Sequence, residues 1–209
     1  SMPPLSVRSM AMTRISRAPA LRLSLAALAL AYLTACGTPT QSLSMGLGAA
    51  ESLQLRGWVP EELKHNVELD GVKGGEATSR WWGSKVSALT LEQALEDSLR
   101  SVGMLPLSPQ PGARYQLRVE MVSLVQPLLA ADLTVTATVH YSLVDKTNGS
   151  LLYQRAVRTA HTAELGEALL SQPERARLAN EGAVRQSIAA ALRDLMALRL
   201  PPPQPSGTR

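Results

Sequence analysis

Two alternating segments joined by a short turn constrain the fold of this 209-residue chain more than any other feature. Apolar and polar residues alternate over residues 133–143 and again over residues 151–159, which is the two-residue period of a half-buried strand. Asn148 and Gly149 lie between the two segments, and this dipeptide is a strong signal for a tight β-hairpin. The sequence therefore predicts a long antiparallel hairpin with one buried face.

The hairpin has a predicted register. A three-residue loop at residues 147–149 pairs Tyr153 with Leu143 and Val157 with Val139, so the apolar side chains of both strands share one face. A shift by one residue would move a whole strand's apolar set to the opposite face. We therefore expect this pairing.

Two helices and a further strand are also predicted. Residues 115–121 alternate as a strand, and residues 90–102 carry apolar residues at helical spacing, with Thr90 as a cap and Gly103 placed to end the helix. A longer helix is predicted from Ser171 to about residue 198, because a capping serine is followed by proline and glutamate.

Residues 51–73 are harder to interpret. Val67 and Leu69, with Leu53 and Leu55, suggest one or two short strands in this segment. With the elements above, they predict an α+β fold, in which an antiparallel sheet of about four strands packs against two helices.

The segment before the only cysteine has the three parts of a secretory signal. Arg14, Arg17 and Arg22 precede an apolar stretch at residues 23–33, which is shorter than the roughly 20 residues that span a hydrocarbon core. Leu33 ends this stretch and is followed by Thr34, Ala35 and Cys36, a Leu-Thr-Ala-Cys sequence that resembles a bacterial lipobox. An ordinary cleaved signal peptide and a short membrane anchor are the alternatives.

The lipobox resemblance implies how the protein is held. Cys36 would become the first mature residue and carry a diacylglyceryl group and an N-acyl chain, and two or more chains anchor a protein stably. Gly37 stands where an aspartate would signal inner-membrane retention, so we expect the periplasmic face of the outer membrane. No other cofactor is expected.

Composition agrees with a processed chain. The net charge of +4 comes from four arginines in residues 1–35, and the remaining chain has 17 basic and 17 acidic residues. A neutral domain with mixed charges gives no reason to expect nucleic-acid binding. We expect a cleaved signal peptide at 1–35, a lipidated tether at 36–50, a periplasmic domain at 51–199 and a disordered proline-rich tail at 200–209.

An unusual loop rich in glycine and tryptophan spans residues 71–86. Its glycines lack the spacing of a phosphate-binding P-loop. The loop is either a turn whose tryptophans cap the core or a recognition surface, since exposed tryptophan favours interfaces. The candidate residues for a partner or ligand surface are Gly74, Gly75, Thr78, Trp81 and Trp82.

No catalytic or metal site is predicted. In the predicted register His140 faces Ala156 and His161 faces Val135, which places the two histidines on opposite faces of the sheet. They are also about five residues apart along the strand, or roughly 17 Å. No protease or hydrolase motif is present, so we expect a protein that is not an enzyme.

The order of lipobox, glycine-rich loop, helix, strands and long final helix resembles small Gram-negative outer-membrane lipoproteins. YajG-like proteins, LptE-like proteins and the ABC-transport auxiliary lipoproteins are similar in the stretches at residues 72–86, 94–99 and 179–185. The resemblance implies a periplasmic binding partner, and it adds Glu181 and Arg185 as candidate surface residues that could also pair locally.

Two roles follow from these expectations. The first is an outer-membrane lipoprotein that contacts membrane lipid through its anchor and supports an envelope complex or lipid-transport machine as a non-catalytic partner. The alternative is a carrier of a hydrophobic ligand, with an enzyme acting on envelope lipid as a third possibility. The sequence does not determine the oligomeric state.

Overall fold

A four-stranded sheet lies at the centre of the computed structural model, which describes residues 41–74, 86–108, 112–125, 133–163 and 171–200. The strands are β1 (Val67–Gly74), β2 (Tyr115–Val125), β3 (Leu133–Asp145) and β4 (Leu151–Ala163), and they neighbour one another in that order. The helices are α1 (Ser42–Met45), α2 (Ala49–Arg56), α3 (Ala88–Val102) and α4 (Gln172–Met196), with a 3-10 turn at Glu61–Leu63. The predicted α+β class is confirmed.

The predicted hairpin forms β3 and β4 in the expected register. Leu143 lies opposite Tyr153, and Val139 lies opposite Val157. Gly149 has a φ of +74°, the left-handed conformation that such a turn requires. The alternation and the turn residues were sufficient to predict this pairing.

The first strand departs from the prediction of an antiparallel sheet. β1 runs parallel to β2, with Val67 opposite Tyr115 and Leu69 opposite Leu117. The chain between these strands contains α3, and parallel neighbours need such a crossover because a tight turn reverses the chain. Alternation shows which face of a strand is buried but not the direction of its neighbour, so the sheet is mixed.

One face of the sheet packs against the helices. α3 contacts β1, whereas α4 lies against β3 and β4. The side chains of Arg118, Glu120 and His140 are exposed on the opposite face. The buried face of β2 and β3 is therefore the one that the alternation predicts.

Tyrosine and methionine take the place of phenylalanine in the core. Tyr115, Tyr141, Met45 and Met104 are among the largest fully buried side chains. The Tyr141 hydroxyl forms a hydrogen bond of 3.0 Å with Oγ of Ser187 in α4. Burial raises the pKa of Tyr141 above its usual value, so this hydroxyl stays neutral and joins the sheet to the helix.

Helix α3 begins earlier than predicted. Its cap is Ser87, whose Oγ accepts a hydrogen bond of 3.1 Å from the Thr90 backbone N–H. The prediction of Thr90 as the cap is therefore wrong by three residues, because two hydroxyl side chains precede the apolar stripe and either can cap. Gly103 ends the helix with a φ of +81°, as predicted.

Helix α4 starts directly after Ser171, as predicted, and ends at Met196. The Ser171 side chain makes no capping hydrogen bond; its carbonyl oxygen instead accepts a bond of 3.0 Å from the Glu174 backbone N–H. No helix within the described ranges is long and apolar enough to cross a membrane.

The segment before β1 corrects two predictions. Leu53 and Leu55 lie in α2 and not in a strand. Residues 41–50 are also not a flexible tether, because they form α1, bury Met45 completely and lead into α2. The folded domain therefore begins at least ten residues before the predicted boundary, while residues 36–40 and the tail at 201–209 lie outside the described residues.

Candidate functional site

The predicted partner or ligand surface is only partly described. Its residues within the described ranges are Gly74, Glu181 and Arg185. Those outside the described ranges are Gly75, Thr78, Trp81 and Trp82, together with the predicted lipidation site Cys36. The role of the tryptophan loop therefore stays a prediction.

Gly74 has a structural role at the end of β1. Its φ is +84°, in the left-handed region that favours glycine. A Cβ at this position would overlap the carbonyl oxygen of Met121, its partner in β2. The close approach of two strands therefore explains this glycine.

Glu181 is a buried acid that joins α4 to the N-terminal segment. Only 1% of the residue is exposed. Its Oε1 accepts a hydrogen bond of 2.7 Å from the Gln41 backbone N–H, and both carboxylate oxygens accept bonds of 2.9 and 2.8 Å from Arg177. A buried carboxylate needs this pairing, since an unpaired one is costly to remove from water.

Arg177 is the residue that sequence reasoning missed. Its guanidinium lies between Glu174 and Glu181, one turn away on each side, and it also pairs with Glu174. The hydrogen bond to Glu174 is the main cause that raises the pKa of Arg177. The same bond is the main cause that lowers the pKa of Glu174.

Arg185 holds the same N-terminal segment at a second point. Its Nε donates a hydrogen bond of 2.8 Å to the carbonyl oxygen of Ser44, and Nη2 donates to the same oxygen. The local pair between Glu181 and Arg185 that the spacing allowed is not formed. Glu181 has an arginine four residues before it and another four residues after it, and the sequence alone does not choose between them.

A third contact involves helix α3. The Leu47 backbone N–H donates a hydrogen bond of 3.1 Å to Oγ of Ser98, which is buried. We call residues 41–47 the docked segment, because α3 and α4 hold it at three points and Met45 anchors it in the core. Gln41 is five residues after Cys36, so an extended chain between them spans at most about 18 Å.

The histidines do not form a site. His140 is exposed on the open face of the sheet, whereas the His161 ring lies against Gly182 on the helical face, with Nδ1 3.2 Å from the Gln186 amide nitrogen. This is the separation that the register predicts. Among the described residues, no three histidine, cysteine or acidic side chains are placed to hold a metal ion.

Two acidic groups with defined partners are structural. Asp145 accepts hydrogen bonds from Arg114 and Thr147 at the β3–β4 turn. Oδ2 of Asp194 in α4 accepts bonds of 2.7 Å from the Tyr153 hydroxyl and from Arg155 of β4. These carboxylates join neighbouring elements. Both oxygens of Asp145 and Oδ2 of Asp194 accept bonds from protein donors.

Comparison with known proteins gives structural similarities alone. No family model and no curated protein matches the chain. A minor lipoprotein of Acinetobacter baumannii is 18% identical, with a TM-score of 0.46, covering 68% of this chain and 97% of its own. A PelC dodecamer from Paraburkholderia phytofirmans is 17% identical, with a TM-score of 0.42 and coverage of 65% and 90%.

A third solved structure is lipoprotein GNA1162 from Neisseria meningitidis. It is 13% identical, with a TM-score of 0.31, and the match covers 62% of this chain and 96% of that protein. Identities below 20% and TM-scores below 0.5 place the chain in no family. We therefore argue its role from its own residues.

Proposed function

We propose that this protein is an outer-membrane lipoprotein whose periplasmic domain is a non-catalytic binding or assembly partner of an envelope complex or lipid-transport machine. The lipobox that ends at Cys36 supports the anchor. The docked segment supports the role of the domain, and it is the observation on which this proposal depends.

A docked segment restricts the domain in a way that suits an assembly partner. With Gln41 fixed to Glu181 and Ser44 fixed to Arg185, only the four residues 37–40 separate the domain from an acylated Cys36. The domain would then present a limited set of orientations to neighbours in the membrane. A component of a complex benefits from this restriction, because fewer orientations are lost on binding.

The packing of the core favours this role over a hydrophobic-ligand carrier. Buried side chains from β2, β3, α3 and α4 form one continuous apolar cluster. Leu95 and Leu99 of α3 belong to it, as do Ile188 and Leu192 of α4. Within the described part of the chain, side chains of the sheet and of both helices therefore pack against one another in a single cluster.

The first experiment is intact-mass analysis of protein purified from native membranes, beside a Cys36→Ala variant. We expect a chain that begins at Cys36 and carries acyl mass, and we expect the variant to lack that mass. The second experiment is affinity capture from gently solubilised membranes, with partners identified by mass spectrometry.

Two arginine variants make the capture specific. Arg185→Gln removes the bonds to the docked segment, whereas Arg199→Gln changes an exposed arginine that follows α4. We expect one recurrent envelope protein with the wild type and Arg199→Gln, and a reduced yield with Arg185→Gln and Cys36→Ala. A native chain without acyl mass would contradict the anchor, and capture of no stoichiometric partner would contradict the assembly role.

A further inference from the structure

A surface cleft opens where α2, the 3-10 turn and the end of α3 meet. It has a volume of about 320 Å3 and is lined by Arg56, Lys64, His65, Val102 and Gly103. This volume is at the lower end of the range for small-ligand sites, roughly 300–1,000 Å3. Three of its five lining residues carry basic side chains and none is acidic.

Gly103 lines the cleft and contributes no side chain to it. A Cβ built on it would lie 3.8 Å from Cε1 of His65 and 3.9 Å from Nε of Arg56. The imidazole and the guanidinium therefore converge over the same glycine. The helix cap that requires glycine at this position also leaves the space between the two basic groups open.

His65 occupies a left-handed backbone conformation, which is uncommon for residues other than glycine. Its φ is +51°, which is in the left-handed region, where non-glycine residues carry a cost of about 1–3 kcal/mol. Its backbone N–H donates a hydrogen bond of 2.9 Å to the Gly103 carbonyl oxygen. Glycine would make the same turn at lower cost, so the side chain at this position calls for an explanation.

The ring of His65 has one nitrogen available to a ligand. Nδ1 lies 3.2 Å from the carbonyl oxygen of Leu105, and a carbonyl only accepts, so Nδ1 carries the hydrogen. Nε2 has no partner among the described residues. The side chain is exposed, so Nε2 is accessible from the cleft, and the bond at Nδ1 sets the orientation of the ring.

Of the two cationic side chains in the cleft, one forms an ion pair with another described residue and the other does not. Lys64 pairs with Glu61, which is exposed. Arg56 has no acidic partner within the described part of the chain, and its guanidinium offers a planar set of donors that matches a phosphate group. The unpaired arginine therefore leaves positive charge in the cleft.

We propose that this cleft binds a phosphate-class anion through Arg56, His65 and Lys64, which goes beyond the assembly role proposed above. Arg56 supplies paired donors, and Lys64 adds a flexible charge at the edge. His65 donates to the anion from Nε2 in its doubly protonated form, in which Nδ1 still donates to Leu105. The phosphate belongs either to a lipid headgroup or to a soluble molecule. Trp58 is two residues from Arg56 and 75% exposed, and tryptophan is favoured at membrane interfaces.

The test measures protection of His65 in the full protein, purified from native membranes and placed in phosphatidylcholine nanodiscs. Diethyl pyrocarbonate acylates unprotonated ring nitrogens, and peptide mass spectrometry gives the rate at each histidine. The exposed His140 on the open sheet face is the internal reference. One arm adds inorganic phosphate, with sodium chloride at equal ionic strength as its control, and the other arm uses nanodiscs that contain phosphatidylglycerol.

We expect the rate at His65 to fall relative to His140. At a phosphate concentration about ten times the dissociation constant, the rate should fall roughly tenfold, because about a tenth of the clefts stay empty. Protection in the phosphate arm supports a soluble ligand, and protection only with phosphatidylglycerol supports a lipid headgroup. The protection of His65, in whichever arm it is seen, should be lost in Arg56→Gln and weakened in Lys64→Gln, but retained in Arg199→Gln.

Two results would overturn this inference. One is an unchanged His65 to His140 ratio in both arms, and the other is equal protection in Arg56→Gln and the wild type. Arg56 and Lys64 are exposed, so neither variant should disturb folding, and circular dichroism checks this. Failure of the anion site would leave the acylation and partner-capture experiments unaffected.

Discussion

Asp145→Asn should destabilise the protein in a manner that depends on pH. Only 2% of Asp145 is exposed. Its Oδ2 accepts hydrogen bonds of 3.0 and 2.7 Å from Arg114, and its Oδ1 accepts bonds of 2.9 and 2.6 Å from the backbone and side chain of Thr147. Asparagine keeps the shape of the side chain and removes its charge.

The expected loss of stability in Asp145→Asn follows from the pKa of Asp145. The bond from the Arg114 guanidinium is the main cause that lowers the pKa of Asp145 from 3.8 to about 2. A pKa difference of slightly less than two units corresponds to about 2–3 kcal/mol of stability from the charged form, and hydrogen bonds to charged groups are worth about 1.5–3 kcal/mol. We therefore expect Asp145→Asn to lose about 2 kcal/mol near neutral pH.

The sign of the pH dependence follows from the lowered pKa. The folded state holds the proton less tightly than the unfolded state, so the charged form stabilises the fold above the unfolded pKa of about 4. This contribution is lost as the pH falls from about 4 towards 2. The difference between the wild type and the variant should shrink over the same interval.

Urea denaturation followed by circular dichroism, repeated across this pH range, measures the difference. Asp70→Asn is the matched control, because Asp70 pairs with Arg118 at 3.3 Å with both side chains substantially exposed, and such pairs contribute about 0–1 kcal/mol. A loss at neutral pH no larger than that of Asp70→Asn, or a difference that does not change with pH, would refute the reasoning.

Three further predictions concern the contact of β3 and β4 with α4. Gly182→Ala should lower the free energy of unfolding, measured by urea denaturation, by about 1–3 kcal/mol, because its Cβ would overlap the His161 ring. Adding His161→Ala should recover part of this loss, and no recovery would contradict the overlap. Tyr141→Phe should cost about 1–3 kcal/mol by leaving Ser187 without its partner, and combining it with Ser187→Ala should cost less than the sum of the two single changes. Leu143→Ala should cost about 2–5 kcal/mol, since Leu143 is fully buried, and a melting temperature close to that of the wild type would be inconsistent with this.

The sequence predicted the hairpin well because local signals agree with the tertiary fold there. Strict alternation marks the buried face, and Asn148 with Gly149 marks the turn, so the partners of Val139 and Leu143 follow. The direction of β1 has no such local signal. It depends on where α3 returns the chain, which is a property of the whole fold.

The docked segment was missed for a different reason. Residues 41–50 are mostly small, polar or glycine. Only Met45 and Gly46 among them are buried, and Ser42, Ser44 and Leu47 are partly buried. Such composition is typical of a tether, yet backbone groups of Gln41 and Ser44 are held by side chains about 140 positions later in the chain. Contacts over this separation leave no periodic pattern in a single sequence.

The docked segment also sets how far from a membrane this protein could act. A free tether over residues 37–50 would let Glu51 lie up to about 54 Å from an acylated Cys36, whereas Gln41, five residues after Cys36, lies at most about 18 Å from it. A domain of about 160 residues has a radius of gyration of roughly 15 Å. An anchored domain would therefore stay within a layer about one domain deep on the membrane surface. A periplasmic partner would have to enter that layer to bind it.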